Sequence, residues 1–527
     1  MGQVKAQPHE WRWAIGFAVA VMALTALPYL IGFSAQTEPW RFGGLLIASD
    51  DGNSYIAKMG QGARGAWLFT IPYTSEPQQG AFIYLFYLML GKLAGTEHTA
   101  QVSAYHLARL VFGAALLIVS YRFLAEFLPF VRQRRLALVL VAFGGGLGWL
   151  PLVLGGYASL PVDFYSPEAF TFLTIYTSPH LAAARALFLL GLLAHLKGRS
   201  VWAGLALLGV SLIQPLYVLV AWTLMGAEIT LRRFATPGGV RAWRSLITDY
   251  RSLFTLYRPF FITLLLSAPV VLYTVGLFSL DPIFRQWNSQ NILTSPPPLD
   301  YVLAYGVLLV FAPLGWRVVR RRREAGRLVA VWVVLVPILV YVPIATQRRL
   351  IEGVQLPFVA LAVAGMSLVR RRWRRLIMPL VLLAALAPTT ILFARSALSA
   401  AAPSAPIFHP VDQLAVFDWL KQNAEPGDVG LGAFDTGNLL PAYTPLVAYI
   451  GHGPETLYLK EKEPRVAAFF RPETSDAERQ RLLADGRIRF VLLGPPERAL
   501  GDFDLDAAPY LRRKFASGEY AVYQVGP

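Results

Sequence analysis

The stretch WAIGFAVAVMALTALPYLIGFSA, residues 13 to 35, decides how the rest of the chain is read. It carries no charge, and about 20 mostly apolar residues are what a helix needs to cross a hydrocarbon layer roughly 30 Å thick. It is too long for a secretory signal and lacks a small-residue cleavage site, so it predicts a retained span. Ten more stretches are candidate spans, some of them shorter: residues 101 to 128, 136 to 155, 180 to 197, 201 to 213, 216 to 231, 260 to 280, 301 to 316, 328 to 345, 353 to 369 and 376 to 395. The fold class expected is a polytopic α-helical membrane protein of about 11 spans. Composition agrees, with 527 residues that are 55% hydrophobic, 13% aromatic and only 15% charged, too apolar for a soluble domain. The absence of cysteine excludes disulfides, thiolate metal sites and a cysteine nucleophile.

The formal charge of +16 first suggests an anionic polymer as partner. Residues 404 to 527, however, hold 13 Lys and Arg against 17 Asp and Glu, a net of −4, so the first 403 residues carry +20. That excess sits among apolar segments, where basic residues mark cytoplasmic loops, and nucleic acid is not an expected partner. The basic runs at Arg132, Arg134 and Arg135, at Lys197 and Arg199, from Arg232 to Arg258, from Arg317 to Arg327 and from Arg370 to Arg375 are placed inside. The acidic loops at 36 to 80, 156 to 178 and 281 to 300, with the polar turn at 346 to 352, then face outside. Parity makes AFIYLFYLMLGKLAG (81 to 95) a helix lying on the outer membrane surface. It also splits 201 to 231 into two short spans meeting at Gln214-Pro215. The amino terminus is inside, and the expected location is the cytoplasmic (plasma) membrane.

From residue 404 the character changes. VDQLAVFDWLKQN (411 to 423) reads as an amphipathic helix, a second helix lies around 474 to 485, and DVGLGAF, LVAYI, RIRFVLLG and EYAVYQV read as strands. Two domains are expected: a transmembrane module over 1 to 403 and a soluble extracytoplasmic α/β domain over 404 to 527. The small, proline-containing residues 394 to 406 form the linker. No repeat of 20 to 50 residues occurs, nor paired broken helices of the transporter kind.

Several outer-loop residues could carry chemistry. The first loop opens SDDGNSYIAK, placing Asp50 and Asp51 side by side. Adjacent carboxylates repel, so one is partly protonated, paired with Lys58 or bridged by a cation; a plain Asp-Asp-Gly-Asn turn stands against this at even weight. In the second loop Asp163 and Glu168 lie among aromatics with no basic residue nearby in sequence. His180 opens the next span and reads as a phosphate ligand or, slightly preferred, as a helix cap. In ATQRRLIEGVQLP (345 to 357), Arg348 and Arg349 fall outside, against the positive-inside trend. Guanidinium groups there suit a lipid phosphate or pyrophosphate, while a pair with Glu352 or snorkelling is the equal alternative. GHGPET (451 to 456) follows a strand but has no helix-borne lysine behind it, so it reads as a structural turn. Walker, GxGxxG, HExxH and GxSxG motifs are absent.

This layout resembles the GT-C superfamily of membrane glycosyltransferases, which includes protein O-mannosyltransferases, aminoarabinose transferases and oligosaccharyltransferases. The resemblance covers nearly the whole chain but rests on arrangement: an acidic pair in a long first outer loop, a surface helix, acids in the second loop, outer arginines late in the chain and an outer carboxy-terminal domain. It implies an inverting enzyme that moves a sugar from a polyprenyl-phosphate or pyrophosphate donor to an acceptor, whether glycan, lipid or protein, at the outer face. Asp50 or Asp51 would be the base that deprotonates the acceptor hydroxyl. Arg348 and Arg349, with Lys58 and His180, would hold the donor phosphate. Asp163 or Glu168 would orient the acceptor or complete a metal site. A divalent metal, Mg or Mn, stays open, because metal-dependent members carry a closely spaced acidic pair in the second loop and here the acids stand five apart. The other readings are a transporter or flippase of a lipid-linked precursor, and a non-catalytic membrane assembly protein. Confinement of charges to span ends favours the enzyme.

Overall fold

The computed structural model describes residues 7–155, 160–234 and 250–526. The tip of the second outer loop (156–159) and residues 235–249 of the basic stretch between Arg232 and Arg258 lie outside the described residues. In chain order the helices are α1 (Pro8–Ser34), α2 (Ser49–Ala63), α3 (Leu85–Ala94), α4 (His98–Leu124), α5 (Val131–Phe143), α6 (Trp149–Leu154), α7 (Val162–Tyr165), α8 (Thr171–Thr177) and α9 (Pro179–Leu196). They continue with α10 (Ser200–Ile213), α11 (Pro215–Phe234), α12 (Tyr250–Leu280), α13 (Pro282–Gln290), α14 (Pro298–Val319), α15 (Arg323–Leu339), α16 (Gln355–Leu368) and α17 (Arg371–Ala401). Among the described residues seven helices are long and apolar enough to cross a membrane, and each of the eleven expected spans overlaps helix for at least part of its length. The chain is a multi-pass membrane protein.

The structure refines three of these segments. The expected span at 136 to 155 is broken: α5 stops at Phe143 and α6 begins at Trp149. Between them, Gly145 N–H donates to the Ala385 carbonyl (2.7 Å) and Leu147 N–H to the Leu303 carbonyl (2.8 Å), so neighbouring helices replace the helix's own bonds. A Cβ on Gly146 would lie 2.0 Å from the Ala304 oxygen, so a glycine is required there. Residues 200 to 234 do divide at Gln214-Pro215, as the proline requires. The expected linker at 394 to 406 is helical as far as Ala401, because Ala and Ser sustain a helix and only the prolines beyond it stop one.

The chain forms two compact units. One comprises Met1–Ala26, Leu107–Val275 and Leu293–Arg395; the other comprises Leu27–His106, Gly276–Ile292 and Ser396–Pro527. The first, the helical unit, has an extensive apolar core in which α14 and α16 pack backbone to backbone. A Cβ on Gly315 would lie 1.8 Å from the Leu361 oxygen, and one on Gly365 would lie 2.1 Å from the Phe311 oxygen. Such small-residue contacts are how helices associate where lipid removes the hydrophobic drive. Several of its buried charges are paired. Glu10 pairs with Arg134 at 2.7 Å, and buried Glu228 with Arg327 at 2.9 Å and Arg232 at 3.1 Å.

The second, the sheet unit, draws the segment between α1 and α4 together with the carboxy-terminal residues. Trp40–Phe42 (β1) pairs antiparallel with Phe408–Pro410 (β2). Val429–Leu431 (β3), Val447–Ala448 (β4), Ile488–Leu493 (β5), Leu511–Ser517 (β6) and Tyr520–Val525 (β7) form a sheet of order β4-β3-β5-β7-β6. The first three are parallel and the last two antiparallel. The four strands read from sequence are present; β6 was not foreseen, because LRRKFAS lacks apolar alternation over its charged half. The helix expected at 411 to 423, α18 (Val411–Asn423), matches its stretch, while α19 (Phe434–Tyr443) was not anticipated. The segment expected as a surface helix at 81 to 95 is the ten-residue α3, packed on α2. A Cβ on Gly91 would fall 1.9 Å from the Met59 oxygen and one on Gly62 2.0 Å from the Leu88 oxygen, so these glycines permit the crossing.

Candidate functional site

In the sheet unit, Asp50 and Asp51 sit in the first turn of α2, where the exposed N–H groups and the helix dipole favour negative charge. The turn reading is superseded, since helix starts at Ser49 after Ala48 adopts φ 50°. Partial desolvation raises the Asp50 pKa above the usual carboxylate value; His452 opposes this, and the negative Asp51 and Asp435 add to it. Helical spacing puts Asp51, Ser54 and Lys58 along one face. Their partners come from the 451 to 456 turn, read from sequence as structural only. His452 Nε2 lies 3.3 Å from Asp51 Oδ1, and Glu455 Oε1 is 2.7 Å from Lys58 Nζ and accepts from Ser54 Oγ at 2.9 Å.

Lys58 also donates to Ser54 Oγ and is fully buried, with the rings of Tyr84, Phe69 and Tyr55 around its ammonium at 4.4, 5.3 and 5.5 Å. Burial lowers its pKa, and Glu455 opposes that shift. This corrects one expectation: Lys58 pairs with Glu455 rather than with the aspartates. On α19, Asn438 accepts from Asn53 Nδ2 (2.8 Å) and donates to the Asp50 carbonyl (3.4 Å). Sequence gave no signal for His452, Glu455 or Asn438, which lie some 400 residues from the acids; only GHGPET stood out, and its pattern resembled a turn.

In the helical unit, Arg348 and Arg349 occupy a 3-10 turn, Gln347–Ile351, whose buried Leu350 and Ile351 pin it and leave the arginines partly exposed. The Arg348 guanidinium lies 4.9 Å from the Tyr165 ring centre, and Arg349 Nε lies 3.5 Å from Glu168 Oε1. Glu168 is thus neutralised from a distant part of the chain and is 6% exposed. Glu352 does not pair with either arginine. It is buried against Arg185 of α9, with Nε–Oε1 2.5 Å and Nη2–Oε2 2.9 Å. Arg185 Nη2 also donates to the carbonyls of Pro167 and Glu168. Gly353, at φ 68°, donates to the same Glu168 carbonyl, and a Cβ there would meet the Trp332 ring at 3.0 Å. Arg185, invisible as a site residue in an apolar span, therefore joins the second loop to the arginine turn. His180 is buried in the first turn of α9.

Asp163, 3% exposed at the start of α7, accepts from Gly146 N–H (3.1 Å) and Gly148 N–H (3.3 Å) through Oδ2. Burial pushes its pKa up to about 6. An acid raised above its unfolded value of about 3.9 contributes stability below that value and loses it as pH rises through about 6. Asp163→Asn, which keeps the accepting oxygen without the charge, should therefore flatten the loss of stability between pH 4 and 7 expected for the wild type. Asp163→Ala, which leaves two buried N–H groups without acceptors, should cost about 1–3 kcal/mol at any pH. Thermal unfolding in detergent across that range checks both; parallel pH curves for wild type and Asp163→Asn would exclude it.

Among the described residues no group of three or more His, Cys, Asp or Glu side chains converges on a metal position. Asp163 is engaged by backbone N–H groups through Oδ2, Glu168 by Arg349 and Asp51 by His452. Cavities of about 620 Å³ beside Tyr510 and about 420 Å³ beside Arg64 in the sheet unit include none of the residues above.

No protein-family model and no curated sequence matches the chain. Solved structures do. The apo oligosaccharyltransferase of Archaeoglobus fulgidus gives a TM-score of 0.55 at 14% identity, covering 97% of this chain and 74% of that one. The same enzyme complexed with Zn and sulfate gives 0.51 at 16%, over 95% and 73%. ArnT from Cupriavidus metallidurans, bound to undecaprenyl phosphate, gives 0.52 at 14%, over 97% and 99%. These are GT-C glycosyltransferases, and at such identity the likeness shows the fold alone: this chain shares the fold of those membrane enzymes.

Proposed function

We propose that the protein is a membrane glycosyltransferase that moves a sugar from a polyprenyl-phosphate or pyrophosphate donor to an acceptor at the outer face, with inversion at the anomeric carbon. The arginine pair carries this reading. Arg348 and Arg349 are partly exposed on a turn fixed by a buried ion pair, which suits a phosphate-bearing headgroup. The ArnT structure of similar fold holds undecaprenyl phosphate, a donor chemistry that would match. In the reaction an acceptor hydroxyl attacks the anomeric carbon, the bond from that carbon to the lipid phosphate oxygen breaks, and the phosphate leaves with the electron pair. A first-loop carboxylate takes the hydroxyl proton. The arginines neutralise the departing charge. No step is assigned to a metal. The amino terminus is proposed to lie inside and the sheet-bearing carboxy-terminal residues, from about 404, outside.

The test uses the purified full chain with polyprenyl-phosphate sugars and a panel of glycan, lipid and peptide acceptors. Transfer by the wild type is expected, with Arg348→Ala and Arg349→Ala each about 100- to 1,000-fold slower. No transfer, together with donor binding unchanged in both variants, would overturn the proposal. Reporter fusions check topology, and a cytoplasmic carboxy terminus would refute the outer-face placement.

A further inference from the structure

We infer that His452 is a positioning residue of the transfer site, and that through it Asp51, rather than Asp50, is the carboxylate that takes the acceptor proton. This rests on the transfer reading above and deepens it. The Glu455 backbone N–H points at His452 Nδ1 at 3.4 Å. A backbone amide only donates, so Nδ1 is the acceptor and the ring proton sits on Nε2. Nε2 lies 3.3 Å from Asp51 Oδ1 and therefore donates to it. Both ring nitrogens are engaged, so the imidazole acts through Asp51 instead of abstracting a proton from a substrate itself. Burial sorts the roles: the His452 side chain is 6% exposed and that of Asp51 61%, a fixed donor behind an accessible carboxylate.

The turn carrying His452 is held by several hydrogen bonds. Thr456 Oγ1 accepts from the N–H groups of Gly451 (3.2 Å) and His452 (3.1 Å), and Gln290 of α13 donates to the Thr456 carbonyl at 2.9 Å. A Cβ on Gly451 would lie 2.2 Å from the Gly437 carbonyl carbon, so only glycine lets the turn approach α19. The Lys58–Glu455 pair anchors its far end to α2, the helix that bears Asp51. The Tyr73 ring, 5.3 Å away, lies against the imidazole, and Asp50, Asp435, Glu455 and Lys58 are the charged groups around the pair. Asp50 is tied by its main-chain carbonyl to Asn438. In the step inferred, the acceptor O–H bond breaks as its oxygen bonds to the anomeric carbon, the proton passes to the Asp51 carboxylate, and the sugar–phosphate bond breaks with its electrons on the phosphate.

Two measurements on the full chain test this. In transfer assays, His452→Ala should lower kcat about 10- to 100-fold with little change in donor KM. Losing an N–H donor to the carboxylate raises its pKa, so the acid limb of the rate profile should move to higher pH. His452→Gln, which keeps an N–H at the position of Nε2, should recover most of the rate. Wild-type kcat and acid limb in His452→Ala, or no rescue by His452→Gln, would overturn the inference. Nitrogen-15 spectra of the imidazoles give a second, activity-free readout. The His452 signal should report the Nε2–H tautomer and shift in Asp51→Asn; a signal indifferent to that change overturns the inference. Absence of transfer in the wild type with the spectral shift intact would instead count against the transfer reading alone.

Discussion

Asp51→Asn is expected to lower sugar transfer by about 100- to 10,000-fold, the span associated with loss of a positioned general base. The substitution is nearly isosteric. The amide oxygen still accepts from His452 Nε2, and the Ser54, Lys58 and Glu455 contacts behind it do not involve the carboxylate, so folding should be retained. Donor binding should therefore be unchanged while kcat falls. Asp50→Asn should fall far less, because Asp51 is the carboxylate that His452 holds. Side-by-side turnover and headgroup-binding measurements decide the matter. Equal turnover in Asp51→Asn and wild type would remove Asp51 from the mechanism, and a selective loss in Asp50→Asn would exchange the two roles.

Arg185→Ala should destabilise the helical unit by about 3–5 kcal/mol, because it strands Glu352 as an uncompensated buried charge. The pair is fully buried and doubly bonded, and Arg185 also holds the carbonyls of Pro167 and Glu168. Replacing both partners, as Arg185→Leu with Glu352→Leu, removes the stranded charge and should regain much of that loss. It cannot restore the bonds to the loop carbonyls, so a deficit of about 1–3 kcal/mol should remain. The double variant should also bind donor headgroup more weakly, since the arginine turn and the Glu168 loop are joined through this pair. Unfolding midpoints in detergent, read with lipid-phosphate binding, check both parts. A double variant less stable than either single change would show that the charge is not the source of the loss.

The membrane architecture was legible because its causes are local. A run such as residues 13 to 35 must bury its backbone polar groups within its own helix, and nothing elsewhere in the chain alters that. The division at Gln214-Pro215 and the helix at 411 to 423 were readable for the same reason. The interruption at residues 144 to 148 was not, because it survives only where the carbonyls of Ala385 and Leu303 accept the N–H groups that the helix gives up.

The chemistry divides in the same way. Sequence alone singled out the residue types: the paired Asp50 and Asp51, the acids Asp163 and Glu168, and the arginines at 348 and 349, all in polar segments between apolar spans. Those are consequences of composition and of counting spans. Only the tertiary structure decided their partners: Asp51 with His452, Lys58 with Glu455, Glu168 with Arg349, and Glu352 with Arg185 in place of its neighbours in sequence. A charge buried at low dielectric must find an opposite charge or a donor in space. Which one it finds depends on how helices and turns hundreds of residues apart come together.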